Sequence, residues 1–187
     1  RPPLERELIF SAYDYQQGEV FGVDLTTGKL TNYSNGPGVY DEPEGIFPSG
    51  EYTTVESDRH NPAGKSFDRA DIHKLKLDGT GAMERLTFFA DVPTYRASNP
   101  VVSDDGRYMA FQMGRSGVAA GIGYGLFLYD FAKAPPSRFK DVGISFPPKA
   151  ERARVEKGKE PKSPTVVSYF ADPPIEENEQ TRVEAVT

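Results

Sequence analysis

The stretch SNPVVSDDGRYMAFQMGRSGVAAGIGYGLFLYDF, residues 98–131, decides how the whole chain is read. Asn99-Pro100 opens a short buried run, and Ser103-Asp104-Asp105-Gly106 forms a turn in which only the glycine takes positive φ without steric cost. Residues 107–113 then alternate their faces as a strand does, a glycine-rich loop follows, and residues 125–131 alternate again. Turn, strand, loop and strand recur upstream in the same order.

Two earlier units follow that pattern. In the first, residues 8–10 begin a strand, residues 12–18 (AYDYQQG) form a hairpin loop, residues 19–25 (EVFGVDL) a second strand, and Thr26-Thr27-Gly28-Lys29 a turn before an edge strand from Leu30 to Tyr33. The second opens at Asp41-Glu42-Pro43-Glu44-Gly45, turns at Pro48-Ser49-Gly50-Glu51, and continues through strands at 52–58, 71–77 and 84–89. In 71–77 (DIHKLKL) the apolar alternation slips mid-strand, which predicts a bulge or twist there. Pro43 corresponds to Pro100 and Gly50 to Gly106, a repeat of about 56 residues.

Composition agrees with a β-rich chain. The 187 residues include 12 Phe and 10 Tyr, which favour strands, while 37% apolar content, 18 Gly and 16 Pro mark many turns. Beyond Ala134 the repeat stops and prolines punctuate a mixed-charge segment. Residues 1–133 are therefore read as one repeat domain and 134–187 as a proline-rich charged tail, extended or partly disordered. Within that tail 149–162 could form a short exposed helix, and 165–170 (TVVSYF) is the one credible strand. The chain has no Cys, so thiolate and disulfide chemistry are excluded. A net charge of −6 argues against nucleic acid as a partner, and no apolar run approaches the ~20 residues of a membrane helix. Because residue 1 is Arg, the chain is expected to be a processed product or a fragment.

The paired segments at 99–111 and 42–55, followed by those at 71–79 and 126–131, resemble the TolB-type β-propeller repeat. The resemblance covers roughly residues 7–131 and implies an all-β fold. Each unit would be a blade of four antiparallel strands, about two and a half to three blades of a larger propeller, whose closed forms hold about four to eight. So few blades would leave large apolar faces uncovered. The expected partners are accordingly other protein chains or the missing propeller blades, with neither nucleic acid nor a membrane span. The resemblance also implies a periplasmic or extracellular bacterial location.

In such a blade the innermost strand carries the x-Pro pair. Glu42 and Glu44, two apart on one strand face, would then lie near the central channel with Arg96 and Asn99. Paired carboxylates can bind Ca²⁺ or act as acid and base. Otherwise no cofactor is expected and no metal site is assigned. Asp58, Arg59 and His60 end the second unit's strand. His60 could carry a proton or ligate a metal, but only His73 exists beside it, and that residue is expected to pack within or between strands. Asp58-Arg59 and Arg115 are read as ion-pairing residues that tie neighbouring blades. Glu42, Glu44, Asp58, Arg59, His60, Arg96 and Asn99 are thus the candidate ligand-binding set, with no catalytic residue assigned. Gly121-x-Gly123 opens no helix, so no dinucleotide site is expected, and no G-x-S-x-G elbow is present.

The leading functional reading is a non-enzymatic protein-interaction or scaffolding module, part of a larger assembly. The competing one is a carbohydrate lyase or hydrolase that uses the channel-mouth acids. A propeller attached to a prolyl-oligopeptidase-like hydrolase is the third, weakened because no hydrolase signature follows Phe131.

Overall fold

The computed structural model describes residues 6–14, 17–61, 69–115, 126–133 and 166–168. Three sheets are stacked in chain order. The first joins β1 (Glu7–Asp14), β2 (Gln17–Asp24) and β3 (Leu30–Asn32). The second joins β4 (Asp41–Ile46), β5 (Tyr52–Ser57), β6 (Asp71–Lys76) and β7 (Met83–Arg85). The third joins β8 (Tyr95–Val102), β9 (Tyr108–Arg115), β10 (Leu126–Asp130) and β11 (Val166–Ser168). Consecutive strands pair antiparallel in all three sheets except at the last step of the third, where β11 runs parallel to β10. The all-β blade architecture expected from the repeat is present, and the one late strand lies within 165–170 as read.

Turn chemistry sets the repeat. Gly50 and Gly106 close equivalent turns with φ of 71° and 70°, and Gly28 closes the β2–β3 turn with φ of 71°, a region that side chains with a Cβ occupy only at a cost. Each sheet's edge strand with an x-Pro pair is bulged just there: the register slips between Pro43 and Ile46 in β4 and between Ser98 and Val101 in β8. Proline has no N–H to give to a ladder, so a bulged edge strand is where it fits. Asn99 takes φ of 54° within the second bulge.

Two apolar layers hold the stack. Val20, Tyr33, Val55, Leu75 and Leu77 fill the space between the first and second sheets, joined by Ile9 and Met83. Ile72, Leu86, Phe89, Met109, Phe111, Met113, Phe127 and Tyr129 fill the space between the second and third. There Phe89 meets Phe111 and Phe127 edge-on, with centroids 6.0 and 5.3 Å apart. Lys74 of β6 places its ammonium over Phe47, Tyr52 and Phe131, at 4.8, 4.3 and 5.6 Å from the ring centres.

Several expectations are corrected. The slipping pattern of 71–77 marks no bulge: β6 pairs with β5 in unbroken register from Ser57–Asp71 to Tyr52–Lys76. The second sheet is covered on both sides, so Ile72, His73 and Leu75 are all buried and simple alternation is lost. The strand read over 84–89 ends at Arg85 and gives way to a 3₁₀ turn, Phe89–Asp91. The four antiparallel strands expected of each blade are complete in the second sheet. Among the described residues the first has three, and the third takes its fourth strand parallel from beyond residue 133. The glycine-rich loop, the possible helix at 149–162 and the remainder of 134–187 lie outside the described residues.

The 3₁₀ turn has a specific cause. Asp71, fully buried, turns its carboxylate toward the chain that follows β7. Its Oδ1 accepts from the Thr87 hydroxyl at 2.8 Å and the Phe89 N–H at 2.7 Å, while Oδ2 accepts from Arg85 at 2.6 Å. Arg85 also donates to Asp91 at 2.8 Å. Removing the carboxylate would take one partner from the half-buried Arg85 and leave the buried Thr87 hydroxyl and Phe89 N–H without their acceptor, so Asp71→Ala is expected to cost about 2–4 kcal/mol, with Asp71→Asn intermediate. Urea unfolding of the three proteins measures this, and equal midpoints would refute the role assigned to Asp71.

Candidate functional site

The bulged edge strands β4 and β8 lie against each other, and β8 also touches β5 and β6. That contact brings Glu42, Glu44 and Asn99 together around a residue outside the predicted set, Glu56. Glu42 stands directly opposite Glu56 across the β4–β5 ladder. Like charges at that spacing repel, and burial sharpens the repulsion, which favours a proton on one of the pair. Glu56 is 1% exposed, and its Oε1 accepts the backbone N–H of Asn99 from the third sheet. Glu42 accepts from the Tyr40 hydroxyl. Burial pushes the Glu56 carboxyl up to about 8, opposed by the Asn99 N–H and helped by the charges of Glu44 and Glu42. Burial and then Glu42 raise Glu44 to about 6.

Glu56 therefore links the second sheet to the bulge of the third as a neutral acid at pH 7. The positive φ of Asn99 turns its N–H toward that acid, and its side chain joins the Ser98 hydroxyl at 2.5 Å. The sequence carries a weak signal for Glu56, a carboxylate inside the otherwise uncharged run TTVES. Its depth depends on the third sheet covering it, which no local pattern reports.

The other predicted residues form separate groups. Arg59 does not bridge blades: it reaches back within its own sheet to Asp41 at 2.7 Å and to the Ser57 hydroxyl at 3.2 Å. The loop after β5 folds over the start of β4, which makes Asp41 the near carboxylate. Asp58 caps the same corner, accepting the Tyr40 N–H at 3.0 Å. Arg96 is buried on β8 and packs over Gly114, where an added Cβ would meet its Nε at 2.7 Å.

His60 is exposed, and its Nδ1 lies 2.9 Å from Nε2 of the fully buried His73. His73 Nδ1 is 3.2 Å from the Asp71 carbonyl. The tautomers follow from these contacts: His73 donates to the carbonyl and accepts from His60. Burial, partial at His60 and complete at His73, holds both imidazoles below their ordinary range; Arg85 and then Arg59 add to this at His60, and His60 and then Arg59 add to it at His73. The packing role read for His73 is thus accompanied by a pairing that its mid-strand position does not announce. Among the described residues no group of three His, Asp or Glu side chains is placed to hold a metal ion.

Glu56 makes stability depend on pH with a definite sign. Its folded value of about 8 lies above the ordinary 4.5, so the folded protein holds the proton more tightly. That contribution is complete below pH 4.5 and is lost as pH rises through about 8. Glu44 acts in the same direction but only up to about 6. Glu56→Gln keeps an acceptor for Asn99 and is expected to flatten the fall in stability between pH 6 and 8. Urea unfolding at several pH values tests this, and an unaltered slope in the variant would refute it.

No family model and no curated protein matches the chain. Similar solved structures do exist. The crystal structure of TolB from Acinetobacter baumannii is 23% identical, with a TM-score of 0.52 over 71% of this chain and 29% of that one. A structure described as TolB from Agrobacterium tumefaciens is 20% identical, with a TM-score of 0.46 over 60% of this chain and 36% of that one. A prolyl endopeptidase structure is 14% identical, with a TM-score of 0.48 over 68% and 19%. The chain thus spans about a third or less of these proteins. In fold, its three sheets are TolB-like β-propeller blades.

Proposed function

We propose that the protein is a non-enzymatic protein-interaction module of the β-propeller type, working as part of a larger assembly. The observation that supports this is the contrast between the middle sheet and the two outer ones. The second sheet is buried on both sides. The outward face of the third shows Val101, Leu126 and Leu128 at 65%, 44% and 36% exposure. Val101, Ala110 and Leu128 form one cross-strand row there. The outward face of the first sheet shows Leu8 and Leu30 at 55% and 60%, beside the stacked pair Phe10–Phe21 at 6.2 Å. Such rows of apolar side chains gain by burial against another protein surface, at roughly 25 cal/mol per Å² covered.

In this reading residues 1–133 are the blade unit and 134–187 an appended tail. The carboxylates Glu42 and Glu44, with Asn99, mark a ligand-facing end of the stack, while Asp58, Arg59, His60 and Arg96 support it. The location that suits the reading is the periplasm or the exterior of a bacterial cell. Among the described residues no helix is long and apolar enough to cross a membrane.

Two surface variants test the proposal. Val101 and Leu128 are exposed, so the double variant V101E/L128E is expected to fold normally yet lose the proteins that the immobilised wild type retains from a bacterial extract. The variant E42Q/E44Q is expected to retain them. Loss through E42Q/E44Q with V101E/L128E unaffected would move the function to the carboxylates and overturn the reading.

A further inference from the structure

The loop of residues 33–40 joins the first sheet to the second and carries Asn35-Gly36, the one asparagine–glycine pair in the sequence. The other four asparagines precede Tyr33, Pro62, Pro100 and Glu179. That difference is chemical. An asparagine side chain cyclises when the backbone nitrogen of the next residue attacks its Cγ. Proline has no N–H to lose, and a side chain on the following residue crowds the nitrogen, whereas glycine leaves it open. Asn35 is also exposed and holds a φ of 46°, in the left-handed region. Asn99 has a similar φ of 54°, but Pro100 closes this route there.

Asn35 is at the same time a tie between distant parts of the chain. Its N–H donates to Asn32 Oδ1 at 3.0 Å, and its Nδ2 donates at 2.9 Å to the carbonyl of Gly79, in the turn between β6 and β7. That turn is packed closely on the loop. An added Cβ at Gly81 would meet the Ser34 carbonyl at 3.2 Å and Asn35 Cβ at 3.4 Å. On the other side, a Cβ at Gly36 would meet Arg59 Nη2 and Asp41 Oδ2, the two atoms of the ion pair at the start of β4, at 3.1 Å each. The loop is thus seated between an outer turn of the second sheet and that ion pair. The amide nitrogen that cyclisation expels is the one that donates to Gly79.

We propose that Asn35 is a site of spontaneous covalent modification, and that its conversion to aspartate or isoaspartate releases the loop from the β6–β7 turn. The Gly36 nitrogen loses its proton and bonds to Asn35 Cγ, and Nδ2 leaves with that proton as ammonia. Water then opens the cyclic imide at either carbonyl and restores the Gly36 N–H, so the net change consumes one water and expels one ammonia. The new carboxylate has no proton to give and faces the Gly79 carbonyl, so a donor–acceptor contact becomes an acceptor–acceptor one. In the isoaspartyl product the main chain also runs through the former side chain. The longer backbone then no longer fits the seat of Gly36 over Arg59 and Asp41. This inference concerns the joint between two sheets and does not depend on which partner the protein binds.

The test ages the full chain in mildly alkaline buffer and maps its peptides by mass spectrometry. The peptide holding Asn35 is expected to gain the mass of an amide-to-acid exchange, with the isoaspartyl form predominant, while the peptides of the other four asparagines stay unchanged. In the aged protein and in Asn35→Asp, the Gly79 and Gly81 amide resonances should shift and the melting temperature should fall. Asn35→Gly accepts the same φ, lacks the amide and cannot cyclise, so its resonances should stay constant through the same ageing. Three results would overturn the proposal. One is an intact Asn35 after a time in which the free peptide of residues 31–40, TNYSNGPGVY, has converted. Another is earlier conversion at a different asparagine. The third is conversion at Asn35 that leaves the Gly79 and Gly81 resonances and the melting temperature where they were.

Discussion

A sheet whose two faces are both apolar must be covered twice, and the second sheet of this protein meets that demand from within the chain. Val55 and Leu75 turn to the first sheet, Ile72 and the residues after β7 to the third. Among the described residues the outer sheets each have one neighbour, and their remaining apolar side chains are exposed. Chain order, sheet order and burial are three expressions of the same constraint, because each repeat cannot bury its own faces and must lean on the next.

Within that stack the polar groups are positioned by the packing. Asp71 and Glu56 are both carboxyls on buried strands of the second sheet, and their surroundings divide their roles. Asp71 meets a guanidinium, a hydroxyl and backbone donors, which fix the path of the chain after β7. Glu56 meets the Asn99 N–H and the Ser98 hydroxyl, but burial and the charges of Glu44 and Glu42 outweigh them, so its carboxyl is held well above the ordinary range. Burial raises both carboxyls, but the donors around Asp71 hold it at about 6 while Glu56 rises to about 8, so one is mainly a structural corner and the other a junction that titrates near neutral pH.

How much of this was legible in the sequence follows from which interactions are local. The turns at Gly28, Gly50 and Gly106 were readable because their backbone conformation excludes most other residues. The x-Pro strands were readable because proline restricts where a strand may pair. The end of β7 was not, since Arg85–Phe89 looks like a strand until the Asp71 carboxylate, far back in the chain, captures its donors. Arg59 was matched to the wrong neighbour for the same reason: Asp41 becomes close only when β4 and β5 pair. His60 and His73 were both visible, but their contact depends on how the loop after β5 folds onto β6.

The parallel pairing of β11 with β10 bears on how the molecule assembles in time. Every other strand finds its partner across a hairpin or a modest loop, so the antiparallel ladders can form early and locally. Val166 must find Leu126 across a long intervening segment, and that closure entropy is spent before any contact repays it. The outer edge of the third sheet is therefore expected to close late, and until it does, β10 presents unpaired N–H and C=O groups to the surroundings.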